Sequence, residues 1–144
     1  VYTAHNELLD RHAANMRRLY EPFWIDRQRE HDPAEEPLFA APMFGYEGAR
    51  LNARLCLHQV KNGYALRGDG MDSSTARCVE AVEEVFDRDE LSLHFMMERG
   101  QIQYCNNLET GHSRTEFLDF EEPAKRRHLV RIWLRDEGLR AYRG

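Results

Sequence analysis

Gly111-His112-Ser113-Arg114-Thr115 and, after an acidic connector, Arg126-Arg127-His128-Leu129-Val130-Arg131-Ile132-Trp133-Leu134 are the two runs on which the reading of this chain turns. The second run alternates with period 2, the mark of a strand with two distinct faces. Val130, Ile132 and Leu134 share one face, and Arg127, Leu129, Arg131 and Trp133 share the other. A guanidinium is seldom buried without an anionic partner. Two arginines four residues apart, on a face that also carries Leu and Trp, therefore predict a cavity that receives carboxylates. A histidine just ahead of that strand, His112, predicts a metal ligand beside the cavity.

The bulk properties set limits around that reading. At 144 residues the chain is long enough for one core, and residues 1–144 are read as a single domain. It is 42% hydrophobic and 31% charged, with no apolar run long enough to span a bilayer, so no membrane association is expected. A net charge of −5 argues against a general nucleic-acid binder, because Lys125-Arg126-Arg127 and Arg131 form only a local basic patch. Cys56, Cys78 and Cys105 are odd in number and irregular in spacing, which fits neither a disulfide framework nor a CxxC zinc site. A reducing, cytoplasmic setting follows.

Working back from the decisive runs, the pattern predicts a mainly β chain with flanking helices. Leu8, Leu9, His12, Met16, Leu19 and Tyr20 recur at helical spacing over 3–20, with Thr3 as N-cap and Pro22 after the stop. Phe23-Trp24-Ile25 reads as a short strand, and the polar, Pro-punctuated residues 26–37 read as a loop. Residues 38–44 and 50–57 flank Gly45-Tyr46-Glu47-Gly48 as a hairpin, Asn62-Gly63 signals a turn, and Gly68-Asp69-Gly70 a flexible point. A helix starts near Asp72 to Ser74, with Ala76, Val79, Val82, Val85 and Phe86 as its stripe and Glu80, Glu83 and Glu84 outside. Residues 91–95 and 101–105 read as a second hairpin, 128–134 as the closing strand, and 135–144 as a polar tail. Antiparallel hairpins in this number suggest a small barrel or sandwich. Cys105 and the Met96-Met97 pair read as core residues, and so do Phe39, Phe44 and Tyr46.

Gly100-Gln101-Ile102-Gln103-Tyr104-Cys105-Asn106-Asn107, Gly111-His112-Ser113-Arg114-Thr115 and 127–134 together resemble the C-terminal signature of the taurine dioxygenase-like (TauD/TfdA) family. Its members are Fe(II)- and 2-oxoglutarate-dependent oxygenases built on a double-stranded β-helix, a jelly-roll of cupin type. Asn6-Glu7-Leu8-Leu9 also resembles the helix that follows the family's first metal motif, so the likeness spans nearly the whole chain and is specific in its last third. The resemblance implies that His112 is the distal iron ligand, that Arg127 pairs with the far carboxylate of 2-oxoglutarate, and that Arg131 faces the substrate. It implies Fe(II) and 2-oxoglutarate as cofactor and co-substrate, with dioxygen and a small polar metabolite, such as an amino acid or carboxylate, as partners. A homo-oligomer is compatible with it.

One departure stands out. The family's first two ligands come as His-x-Asp or His-x-Glu, and the only such string here, His5-Asn6-Glu7, opens an amphipathic helix rather than ending a strand. The chain is therefore expected to be a C-terminal portion, with the first histidine and the carboxylate upstream of Val1. Two other readings stay open: a β-helix binding or structural module that has lost its iron, and a metalloenzyme of related shape that does not use 2-oxoglutarate and has no need of Arg127.

Overall fold

Asp72 starts the longest helix in the way the sequence predicts. Its Oδ1 accepts hydrogen bonds from the backbone N–H of Ser74 (2.8 Å) and Thr75 (2.9 Å), capping donors that a helix start leaves unpaired. The computed structural model describes residues 1–107, 109–132 and 134, which fall into two units, Val1–Gly111 and His112–Gly144. The first unit runs α1 (Tyr2–Arg11), α2 (Ala13–Leu19), β1 (Pro22–Asp26), β2 (Leu38–Pro42), β3 (Phe44–Glu47), β4 (Arg50–Ala53), α3 (Leu57–Arg67) and α4 (Ser73–Phe86), then a 3-10 turn at Asp89–Leu91. No helix among the described residues is long and apolar enough to cross a membrane.

The core lies between the strands and the helices, with α3 packed on β1 and α1, α2 and α4 packed on one another. Leu8, Leu19, Phe23, Ile25, Val60, Val82 and Val85 are fully buried, each contributing about 1.5–3 kcal/mol by leaving water. Along α4, Thr75, Cys78, Val79, Val82 and Val85 form one buried stripe at helical spacing. Pairing is antiparallel throughout: Phe23 lies opposite Ala41 in the β1–β2 ladder, and Gly45 opposite Asn52 in β3–β4.

Several expectations need correction. The first helix is two, because His12 leaves helical geometry at φ −130°, ψ 37°; Val1 rather than Thr3 precedes the first turn. Residues 38–44 are not one strand. They divide at Met43, so that β2 pairs back to β1 and only β3 makes the hairpin with β4. Asn62-Gly63 is no turn but the middle of α3, and Gly68 ends that helix in left-handed geometry at φ +78°. Met96 and Tyr46 are exposed, and Cys105 is only half-buried.

The larger correction concerns the expected strands at 91–95, 101–105 and 128–134. None of their described residues joins a ladder. The alternation is present, yet Leu93, Phe95, Ile102 and Tyr104 are all exposed. A strand is held by hydrogen bonds to a neighbour, and no neighbour runs alongside these segments among the described residues. The described architecture is thus four strands in two two-stranded sheets against four α-helices, and the sheets alone do not make a jelly-roll. The polar tail at 135–144 and Trp133 lie outside the described residues.

Gly63 positions α3. A Cβ there would lie 2.5 Å from the Trp24 carbonyl oxygen and 2.8 Å from its carbon, so the helix rests directly on the β1 backbone. Helix propensity alone favours Gly63→Ala by about 1 kcal/mol. The contact reverses that sign, because backbone cannot swing aside. Urea unfolding should show Gly63→Ala destabilised by about 1–3 kcal/mol, the usual cost of overpacking.

Candidate functional site

The His5-Asn6-Glu7 string resolves first. Positions two apart on a helix point about 200° away from each other, and the two side chains do diverge. His5 is buried, its Nε2 lies 2.7 Å from the Tyr20 hydroxyl, and its ring meets Phe44 edge-on at 5.1 Å. Glu7 turns to the other side, where its carboxylate pairs with Arg88 and, at 3.1 Å, with Arg11. The Arg88 guanidinium, with a smaller part from Arg11, holds the Glu7 carboxyl below its ordinary range. His5 and Glu7 cannot ligate one ion in this arrangement.

His5 belongs instead to an aromatic cluster that the sequence pattern did not reveal. Tyr20, at the C-terminal end of α2, stacks on Tyr46 of β3 with centroids 6.0 Å apart and planes 6° from parallel. Burial, then a hydrogen bond with the Tyr46 phenol, pushes the Tyr20 hydroxyl up to about 12. The only signal in the sequence was chemical type, since positions 5, 20 and 46 share no local spacing.

The second unit holds the three residues singled out above. His112, Arg127 and Arg131 all lie on exposed, non-ladder backbone. Leu129 and Val130 are exposed as well, at 56% and 77%, so the two faces of the expected strand are not separated by burial. Arg127 is nonetheless ordered by local contacts. Its guanidinium lies 4.3 Å above the Phe117 ring centroid, and its backbone N–H donates to Asp119 Oδ1 at 2.9 Å. The Arg114 guanidinium also lies over Phe117, at 5.7 Å. Arg126 donates from Nε to the Phe120 carbonyl (3.1 Å) and from its guanidinium to the Glu121 carbonyl (3.0 Å). A ring beneath a guanidinium fixes its plane while leaving the in-plane N–H groups directed outward, where a carboxylate takes two of them.

An iron site of the expected kind needs two histidines and a carboxylate on one face. Among the described residues, no three His, Cys, Asp or Glu side chains come together as a metal set. The described residues therefore do not make up a complete iron centre.

Comparison with known proteins gives this geometry its context. The profile of the taurine catabolism dioxygenase TauD, TfdA family matches residues 1–133, and the chain belongs to that family, for which a cupin-like β fold is expected. It is similar to FR-33289 synthase of Streptomyces rubellomurinus, with 26% identity over 141 residues, covering 96% of this chain and 42% of the relative. It is also similar to the taurine hydroxylase-like protein SAT17 of Stachybotrys chartarum, with 31% identity over 111 residues, covering 73% of this chain and 28% of the relative. The chain thus spans less than half the length of either.

Two measurements check the assignment of His5 and Tyr20 to the core. His5→Ala should lower unfolding free energy by about 1–3 kcal/mol, the cost of stranding a buried polar group, whereas His112→Ala should stay within about 0.5 kcal/mol, as exposed positions do. The Tyr20 phenol has a higher value folded than its unfolded value near 10. Its contribution is full below that value and is lost as pH rises from there toward 12. Alkaline unfolding followed across that window should be shallower in Tyr20→Phe.

Proposed function

We propose that this chain is part of a non-haem Fe(II)- and 2-oxoglutarate-dependent dioxygenase, built on a double-stranded β-helix, that oxidises a small polar metabolite such as an amino acid or other carboxylate. The observation that carries the proposal is the family match over residues 1–133, a span that includes His112, Arg127 and Arg131. His112 is proposed as one iron donor, with the other histidine and the carboxylate supplied by the length of relative that this chain does not cover. The segments that carry exposed Leu93, Phe95, Ile102, Tyr104, Leu129 and Val130 are proposed to pair with strands from that same length.

In this reading Arg127 holds the distal carboxylate of 2-oxoglutarate. A planar fork accepts a carboxylate through two parallel hydrogen bonds, which Lys could not reproduce. The Phe117 ring, 4.3 Å from the guanidinium carbon, supports it by giving that side chain a fixed neighbour. Arg131, four residues on, is proposed to receive an anionic group of the substrate. Iron with 2-oxoglutarate supplies dioxygen activation when bound, and the chain's own part is to bind and orient. Orientation matters because a misplaced co-substrate costs rate even when it binds.

A second reading is a β-helix module without iron. Anaerobic titration of the full-length protein with Fe(II) and 2-oxoglutarate separates the two, because the weak visible charge-transfer band of the ternary complex should appear only for the oxygenase. A folded, full-length protein that never shows the band would sink the oxygenase reading. With the band in hand, Arg127→Gln should weaken 2-oxoglutarate binding by about tenfold or more, the loss of a charge-assisted pair. Arg131→Gln should raise KM for the substrate far more than for 2-oxoglutarate, and the opposite pattern would mean the two arginine roles are exchanged.

A further inference from the structure

The cluster of His5, Tyr20, Tyr46 and Phe44 plays no part in the proposed oxygenase chemistry, and its geometry suits a different task. Removing one electron from a phenol at neutral pH leaves a strongly acidic radical cation, so the oxidation is accessible only when a base takes the proton in the same event. His5 Nε2 stands 2.7 Å from the Tyr20 hydroxyl, within reach for that transfer. His5 is buried at 9% exposure, and the Phe44 ring lies edge-on against it, which keeps bulk water from replacing the imidazole as proton acceptor. Tyr46 stacks on Tyr20 and is 61% exposed, so one partner of the stack is open to solvent and the other is half-buried.

The contrast with other phenols in the unit is informative. The Tyr64 hydroxyl accepts from the Arg18 guanidinium at 3.2 Å, and the Tyr2 hydroxyl accepts from the Leu51 backbone N–H at 3.0 Å. Both hydroxyls face donors, and a cation beside Tyr64 makes loss of an electron harder still. Tyr20 faces an imidazole nitrogen instead, which accepts the phenolic proton in the Nδ1–H tautomer of His5.

We propose that Tyr20 is a redox-active tyrosine: a strong outer-sphere one-electron oxidant takes an electron from its phenol as the phenolic proton passes to His5 Nε2, and stacked Tyr46 links the site to solvent. The step balances. The Tyr20 O–H bond breaks, the oxidant gains one electron, and His5 becomes imidazolium beside a neutral Tyr20 radical. The hole then moves outward when Tyr46 gives its electron and its O–H proton to the Tyr20 oxygen, which restores the Tyr20 phenol and leaves a neutral radical on Tyr46. This activity does not depend on the iron reading and would persist in a metal-free protein.

The test is flash-quench oxidation of the full-length, metal-free protein by photogenerated tris(bipyridyl)ruthenium(III), with the tyrosyl radical read by transient absorption and electron paramagnetic resonance. The wild-type protein should form a long-lived tyrosyl signal whose rate of formation slows in deuterium oxide. Tyr20→Phe should lose that signal, and His5→Gln, which keeps an acceptor but no basic nitrogen, should lose the isotope-sensitive phase. Tyr46→Phe should slow formation, while Tyr64→Phe should leave it unchanged. A long-lived signal that survives in folded Tyr20→Phe overturns the proposal. Should Tyr20→Phe fail to fold, the exposed change Tyr46→Phe decides: an unchanged rate of formation there overturns it equally.

Discussion

Arg18 is the constraint on which the first unit depends. Its guanidinium lies 3.9 Å above the Phe23 ring and donates to the carbonyls of Glu21 (3.2 Å) and Pro22 (3.1 Å), the Tyr64 hydroxyl (3.2 Å) and Thr75 Oγ1 (3.0 Å). One side chain therefore joins α2, the start of β1, α3 and α4. Each partner is neutral, and the charge is answered one bond further on, where Thr75 Oγ1 donates to Asp72 Oδ2 at 3.1 Å. Since Thr75 is fully buried, its hydroxyl acts as a bridge between a cation and the carboxylate that caps α4. The Asp72 carboxyl is held far below its ordinary range, first by the Thr75 backbone N–H and then by the Ser74 and Thr75 side chains. Capping of the longest helix and closure of the turn into the first strand are thus one hydrogen-bonded network, whose members lose more together than singly.

The parts of this fold that were legible in the sequence are those settled within a few residues. Asp72 followed by Ser73 and Ser74, ahead of a helical apolar stripe, names a helix start, and the structure caps it there. Pro22 to Ile25 and the polar loop behind them were equally local. Gly63 was not. As part of Asn62-Gly63 it carries a turn signal, and its true role, letting α3 lie on the Trp24 backbone, depends on a segment almost forty residues away. The division at Met43 escaped for the same reason: its N–H goes to the Leu19 carbonyl at 3.1 Å and its carbonyl to the Arg54 N–H at 2.8 Å, partners no window around residue 43 contains.

The candidate site shows a different limit. Its residue types were legible, because a histidine and two arginines in a particular order carry chemical meaning, and the family match covers all three. Their common geometry was not, because period-2 alternation states which faces a strand would have and is silent on what pairs with it. Arg127 shows the distinction. The sequence placed it on a strand face with Leu129 and Trp133, whereas the described contact that orders it is Phe117, ten residues earlier in the connector. An aromatic in that connector carried no pattern to mark it as a partner.

His5 and His112 show why residue type alone misleads in opposite directions. His5 sits in a string that matches a ligand motif letter for letter, and helical geometry then points its neighbour two positions on to the far side of α1. His112 has no companion donor in its own run, yet it lies in the segment whose sequence resembles the family signature. What separates them is backbone. A helix repeats after 3.6 residues and an extended segment after 2, so His-x-Glu converges on one ion from a strand and diverges from a helix. The helix gives His5 other work: it brings the imidazole onto the Tyr20 hydroxyl, and Phe44 and Tyr46, close together in β3, both meet the Tyr20 ring because β strands place residues i and i+2 on one face. One histidine is withheld from metal chemistry and fitted for proton chemistry by the same turn of helix.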